Sequence, residues 1–328
     1  MSAQQDFEII RTNGITLRVA LAGTGPLIVL VHGWPESWYS WRHQIPALAA
    51  AGFRVAAPDV RGYGGSDKPH AVAAYAIKEL CDDIAGLIEA FGETEAILIG
   101  HDWGASIVWH TALFYPEKTR AVAGLSVPYT GRGPMPRVQL YRQLYKDRFF
   151  YQLYFQEPGV AEAELEADVR TALRKIYYWG AGEALGAGLP FERNKPADAK
   201  LLDGLPDPDP LPTWLTEADL DYYVAELEKS GFRSPLNRYR ASELDFAQTE
   251  AVASKKIDQP AAFIAGSLDP VLSFVPGLDL IEKMRAHVSN LRLVRLIEGA
   301  GHWVQQERPA AVNAALLEFL GGLGGGGG

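Results

Sequence analysis

The run Leu27-Ile28-Val29-Leu30-Val31 is apolar without a break. Such a run predicts a strand buried on both faces, as in a parallel sheet. Similar short runs recur at Phe53 to Ala57, Ala96 to Ile99, Ala121 to Val127, Ala261 to Ala265 and Leu291 to Ile297. Segments of helical length separate most of them. In Tyr75 to Phe91, for example, Ile77, Leu80, Ile84, Leu87, Ile88 and Phe91 fall at helical spacing. Near the start, Phe7 to Ile10 and Ile15 to Val19 flank Asn13-Gly14, and both turn residues tolerate positive φ, so the pattern predicts a tight hairpin. Alternation of strand and helix predicts an α/β protein with a mostly parallel sheet flanked by helices.

The alternation stops after about Pro128 and resumes near Ile257. Residues 131–245 are rich in aromatic and helical segments, and Gly204 to Pro210 must form a loop. This predicts one core, residues 1–130 and 246–320, with a helical cap at 131–245 inserted after the sixth strand. The glycine-rich residues 321–328 are expected to form a flexible tail.

Composition narrows the function. The chain has 328 residues and a net charge of −9, which speaks against a sequence-independent nucleic-acid binder. No apolar run reaches the ~18 residues of a spanning helix, so no membrane partner is expected. Cys81 is the single cysteine, and the first residues lack a basic start and apolar stretch. A soluble, cytoplasmic protein is expected.

The chemistry begins at Gly100-His101-Asp102-Trp103-Gly104, which follows one strand run and opens a helical one. A Gly-x-nucleophile-x-Gly at a strand-to-helix turn raises its middle residue at a helix N-terminus. That residue is usually Ser; here it is Asp102, and no Gly-x-Ser-x-Gly occurs in the chain. A carboxylate needs no base to activate it and can attack an sp³ carbon, forming an alkyl ester that water must cleave. This points to opening of epoxides or displacement of halogen. The competing reading of Asp102 is a plain helix cap.

Water activation calls for a base. Gly299-Ala300-Gly301-His302-Trp303 follows the last strand run, which places His302 well for that task. Asp269, just after the run Ala261 to Ala265, is the expected acid partner. The other plausible place, the end of the preceding core strand, holds no acid, because no Asp or Glu occurs between Glu117 and Asp147. The order Asp102, Asp269, His302 is that of nucleophile, acid and base in α/β-hydrolases. His101 is expected to point away from the site, and His32 to fix its own loop. No His-Glu-x-x-His or Cys cluster suggests a metal, and Gly62-Tyr63-Gly64-Gly65 does not match a dinucleotide fingerprint. Neither metal nor cofactor is expected.

His32-Gly33-Trp34-Pro35, Asp59 to Ser66 and Gly100 to Gly104 together resemble the α/β-hydrolase-fold epoxide hydrolases over nearly the whole chain. Tyr151 to Gly159 and Ser230 to Arg240 resemble two cap segments of soluble epoxide hydrolases. The resemblance implies that Tyr151 and Tyr239 hold and protonate the epoxide oxygen. It also suggests a cis bond at Trp34-Pro35. Arg238 departs from the family, in which an aromatic is common. Backbone N–H groups of Trp34 and Trp103 are expected to form an oxyanion hole. Trp34, Trp38, Trp103 and Tyr154 are expected to line an apolar substrate pocket.

The reading is therefore an epoxide hydrolase whose partners are an apolar epoxide and water, acting as a monomer or homodimer. The alternatives are a haloalkane or haloacetate dehalogenase, which needs a halide cradle instead of two phenols, and a ligand receptor on a hydrolase fold.

Overall fold

The protein is described from a computed structural model covering residues 5–189, 195–275 and 277–323. Eight strands form one sheet: β1 (Asp6–Thr12), β2 (Ile15–Ala22), β3 (Leu27–Val31), β4 (Arg54–Pro58), β5 (Ala96–His101), β6 (Thr119–Leu125), β7 (Ala261–Gly266) and β8 (Leu291–Ile297). Their order across the sheet is β1-β2-β4-β3-β5-β6-β7-β8. The first two ladders are antiparallel and the remaining pairs are parallel. Asn13 (φ 42°) and Gly14 (φ 75°) close the hairpin, with Thr12 paired to Ile15, as their sequence predicts.

The unbroken apolar runs are explained by two cores, one on each face. In β3, Val29 and Val31 join one core, while Ile28 and Leu30 join the other. A strand's side chains alternate between faces, so a strand covered on both sides needs apolar residues throughout. The helix Ile77–Ala90 packs Ile77, Leu80, Ile84, Leu87 and Ile88 into the first core. The helix Pro309–Gly321 packs Val312, Leu316 and Phe319 into the second. This helix carries the chain into the segment expected to be a tail: Gly321 is helical and Leu323 packs against the second core. Residues 324–328 lie outside the described residues.

Between β6 and β7 the described residues hold helices and no strand, from Arg137–Leu144 to Ser242–Gln248. Polar contacts tie this helical layer to the sheet. Arg18 on β2 pairs with both Asp59 and Glu226, and Tyr39 donates to Asp219 at 2.9 Å. Thr216 and Asp219 form a capping box that starts the helix Glu217–Ser230, which carries Glu226.

Candidate active site

Asp102 stands between β5 and the helix Trp103–Phe114 with φ 53° and ψ −118°. That region is costly for a residue with a Cβ and is found where a structure imposes it. Asp102 makes no side-chain cap bond to the helix it precedes, so the plain cap reading fails. Its Oδ1 instead accepts the Trp34 backbone N–H at 2.9 Å. The loop carrying Trp34 approaches so closely that a Cβ on Gly33 would lie 2.5 Å from Asp102 Cβ and Oδ1. A Cβ on Gly104 would collide with the Val31 carbonyl. The Trp34-Pro35 bond is cis.

His302 Nε2 lies 3.7 Å from Asp102 Oδ2, and its Nδ1 lies 3.2 Å from Asp269 Oδ1. Burial works to lower the His302 pKa. The charge of Asp269, its hydrogen bond, and the charges of Asp102 and Glu36 outweigh burial and push it up to about 9. Asp269 is buried, and its Oδ1 also accepts the Val271 N–H at 3.0 Å. The loop carrying His302 is fixed from two sides: His302 N–H donates to Gly180 O at 2.7 Å, and His101 Nε2 lies 2.8 Å from His302 O.

His101 does point away from the cavity, into the fold. Its Nδ1 lies 2.8 Å from Glu36 Oε2, and Glu36 Oε1 accepts from the amides of Gln305 and Gln306. Burial opposes the charge on Glu36, but His101 and His32 hold its carboxyl below the usual range. His32 fixes its own loop, as expected, by accepting the Val60 N–H at 2.9 Å. Among the described residues no group of three or more His, Cys, Asp and Glu is arranged to hold a metal ion.

Tyr151 and Tyr239 descend from the helical layer, with ring centroids 6.0 Å apart. Gln152 Nε2 donates to the Tyr151 oxygen at 2.9 Å, which leaves the phenol proton free to be donated elsewhere. Burial raises both phenols well above their ordinary pKa. Asp102 adds to this at Tyr151, and Tyr151 and then Asp102 add to it at Tyr239. A cavity of about 400 Å³ is lined by Asp102, His302, Tyr151, Tyr239 and Trp34, with Trp179 and Phe274 among its apolar walls.

Trp103 and Arg238 line a larger adjoining cavity of about 690 Å³ together with Tyr239, and Trp103 also lines a cavity of about 370 Å³ beside Asp102 and Tyr151. Arg238 is buried: its guanidinium sits 4.3 Å over the Trp103 ring and pairs with Asp245 at 2.5 Å. Two expected lining residues lie elsewhere. Trp38 is packed edge-on against Phe7, Tyr39 and Tyr222, and its Nε1 donates to Tyr222 at 2.7 Å. Tyr154 donates to Glu164 at 2.8 Å and packs on Phe149.

One residue at the centre carried no sequence signal. Ser126, directly after β6, has φ 71° and is fully buried. Its Oγ lies 2.5 Å from Asp269 Oδ2 and 2.8 Å from His302 Nδ1.

Comparison with known proteins agrees with this architecture. The alpha/beta hydrolase fold family model matches residues 26–309. Epoxide hydrolase A of Mycobacterium tuberculosis is 44% identical over 317 residues, covering 96% of this chain and 97% of that one. The crystal structure of epoxide hydrolase A from Mycobacterium thermoresistibile has TM-score 0.90 and 46% identity, covering 97% and 99% of the two chains. Potato (Solanum tuberosum) epoxide hydrolase I has TM-score 0.87 and 35% identity, covering 97% and 100%. The chain belongs to the α/β-hydrolase-fold family and, within it, to the epoxide hydrolases. It is an enzyme of the hydrolase class, and no helix among the described residues is long and apolar enough to cross a membrane.

Proposed function

We propose that this protein converts an apolar epoxide and water to a vicinal diol through an ester on Asp102. The observation that carries the reading is the shared cavity, in which a carboxylate uncommitted to capping faces two protonated phenols. Asp102 Oδ2, the oxygen not taken by Trp34, attacks a ring carbon. The carbon–oxygen bond breaks, and the departing oxygen takes a proton from Tyr151 or Tyr239. Such general-acid help is worth about 10² to 10⁴ in rate.

The ester removes the charge of Asp102, one of the groups that raise the His302 pKa. His302 then gives up its extra proton more readily, that proton returns the tyrosinate to a phenol, and the neutral Nε2 becomes a base. Water gives a proton to Nε2 and attacks the ester carbonyl carbon. The oxyanion sits on the Trp34 N–H, with the Trp103 N–H beside it at the helix start. Collapse releases the diol, protonated by the imidazolium, and the Asp102 carboxylic acid returns its proton to His302, which restores both residues.

The apolar walls Trp34, Ile176, Trp179, Val271, Phe274 and Trp303 support an apolar substrate. In this reading residues 131–245 act as the cap that supplies the phenols. A cytoplasmic setting suits a chain whose single cysteine, Cys81, is buried and unpaired. Two phenols over the carboxylate favour epoxide opening over dehalogenation, since phenols supply protons to an alkoxide. Purified protein given an aryl epoxide should release diol, and given a chloroalkane should release no halide. Halide without diol would overturn the reading.

A further inference from the structure

The nearest acceptor for the His302 Nδ1 proton is not Asp269. Ser126 Oγ is 2.8 Å away, whereas the two Asp269 oxygens are at 3.2 and 3.4 Å. Ser126 Oγ in turn lies 2.5 Å from Asp269 Oδ2. An ionised carboxylate can only accept, and a hydroxyl has one proton. Ser126 must therefore donate to Asp269, and its lone pair must accept from His302. That direction fixes the proton on Nδ1 and leaves Nε2, the nitrogen facing Asp102, as the basic one.

The backbone is arranged for this contact. Ser126 directly follows β6, its N–H still donating to Ile264 O at 2.9 Å, yet it turns to φ 71°. A side chain pays for that conformation, and glycine would take it more easily. Serine held there, fully buried and bonded to both members of the pair, has a strain that its hydroxyl explains. It occupies the strand end where an alternative acid could have stood.

We propose that Ser126 is a positioning residue that relays Asp269 to His302, fixing the tautomer and basicity of the imidazole. The proposal rests on His302 acting as the base that cleaves the Asp102 ester. Charged and titratable groups around the ring come from several elements: Asp102 and His101 from the elbow, Asp269 after β7, Glu36 after β3, and Glu307, which accepts the Trp303 N–H. Ser126 bonds the ring and one member of that set, Asp269, without carrying charge.

The test compares Ser126→Gly, Asp269→Asn and the double variant in single-turnover experiments with an aryl epoxide. Glycine accepts the φ 71° backbone and removes the hydroxymethyl side chain. Ester formation and ester hydrolysis are followed separately by the mass of the Asp102 peptide. Ser126→Gly should slow hydrolysis about 10- to 100-fold, as outer-shell partners of histidines do elsewhere, and shift its pH profile. Ester formation should change much less. The double variant should match Asp269→Asn within about twofold, because a relay has nothing to carry once its acid is gone. Losses that multiply, or a Ser126→Gly enzyme with the parent hydrolysis rate and pH profile, would overturn the relay. An Asp269→Asn enzyme with unchanged hydrolysis would also overturn the relay, whereas unchanged hydrolysis in His302→Gln would place the failure in the base assignment itself.

Discussion

The Trp34 N–H donates to Asp102 Oδ1 at 2.9 Å across 68 positions of chain. One carboxylate oxygen is thereby held on a donor that suits the later oxyanion, while the other faces His302 at 3.7 Å. The geometry divides Asp102 into a held oxygen and a reactive one. Replacing Asp102 by Asn keeps the shape but removes the anionic nucleophile. Turnover of an aryl epoxide should fall by about 10³ or more, on the scale of lost nucleophiles elsewhere. The circular dichroism spectrum should stay unchanged.

The two phenols should be separable from their neighbour by mutation. Tyr151→Phe and Tyr239→Phe should each slow ester formation by roughly 10²-fold, the lower end of general-acid contributions. Tyr154→Phe should leave kcat/KM within about twofold, because Tyr154 donates to Glu164 and does not line the cavity. Stopped-flow protein fluorescence would read ester formation in all three.

Stability should depend on pH through His302. Its pKa rises from 6.5 to about 9 in the folded protein, so the folded state binds this proton more tightly than the unfolded chain. The contribution is fully present below pH 6.5 and is lost as pH climbs toward 9. Urea melts between those limits should show a decline that Asp269→Asn flattens. A decline of equal size in the variant would contradict the assignment.

Gly33 sets the closeness of the Trp34 loop. Gly33→Ala places a methyl 2.5 Å from Asp102 Cβ and Oδ1, so the loop or the elbow must shift. Displacement of about 1 Å at a reacting group can cost about 10²-fold. The predicted loss of kcat should exceed any loss of thermal stability, which differential scanning fluorimetry would report.

The strands were legible because a sheet covered on both faces demands apolar residues at every position, as in Leu27 to Val31. The elbow was legible because Gly100 to Gly104 concentrates a tight turn and a reactive group in five residues. β6 ends at Leu125, short of the expected Val127, because Ser126 leaves the strand conformation. Nothing local marks that turn, whose side chain is bonded to residue 269, far along the chain. Tyr151 and Tyr154 are three positions apart on one short helix, so spacing alone does not separate them. Glu164, which captures Tyr154, comes from the next helix. The packing of Trp38 on Phe7, Tyr39 and Tyr222 is hidden for a similar reason: aromatic content does not tell which side of a loop a ring packs against.

The most direct test of the Asp102 ester is a single turnover in water enriched in oxygen-18, with enzyme in excess over epoxide. Attack of water on the ester carbonyl leaves the new oxygen on Asp102. The first diol should therefore carry no label, and the Asp102 peptide should gain it. Labelled diol with an unlabelled Asp102 peptide would mean that water attacks the epoxide directly, and the ester mechanism would be wrong.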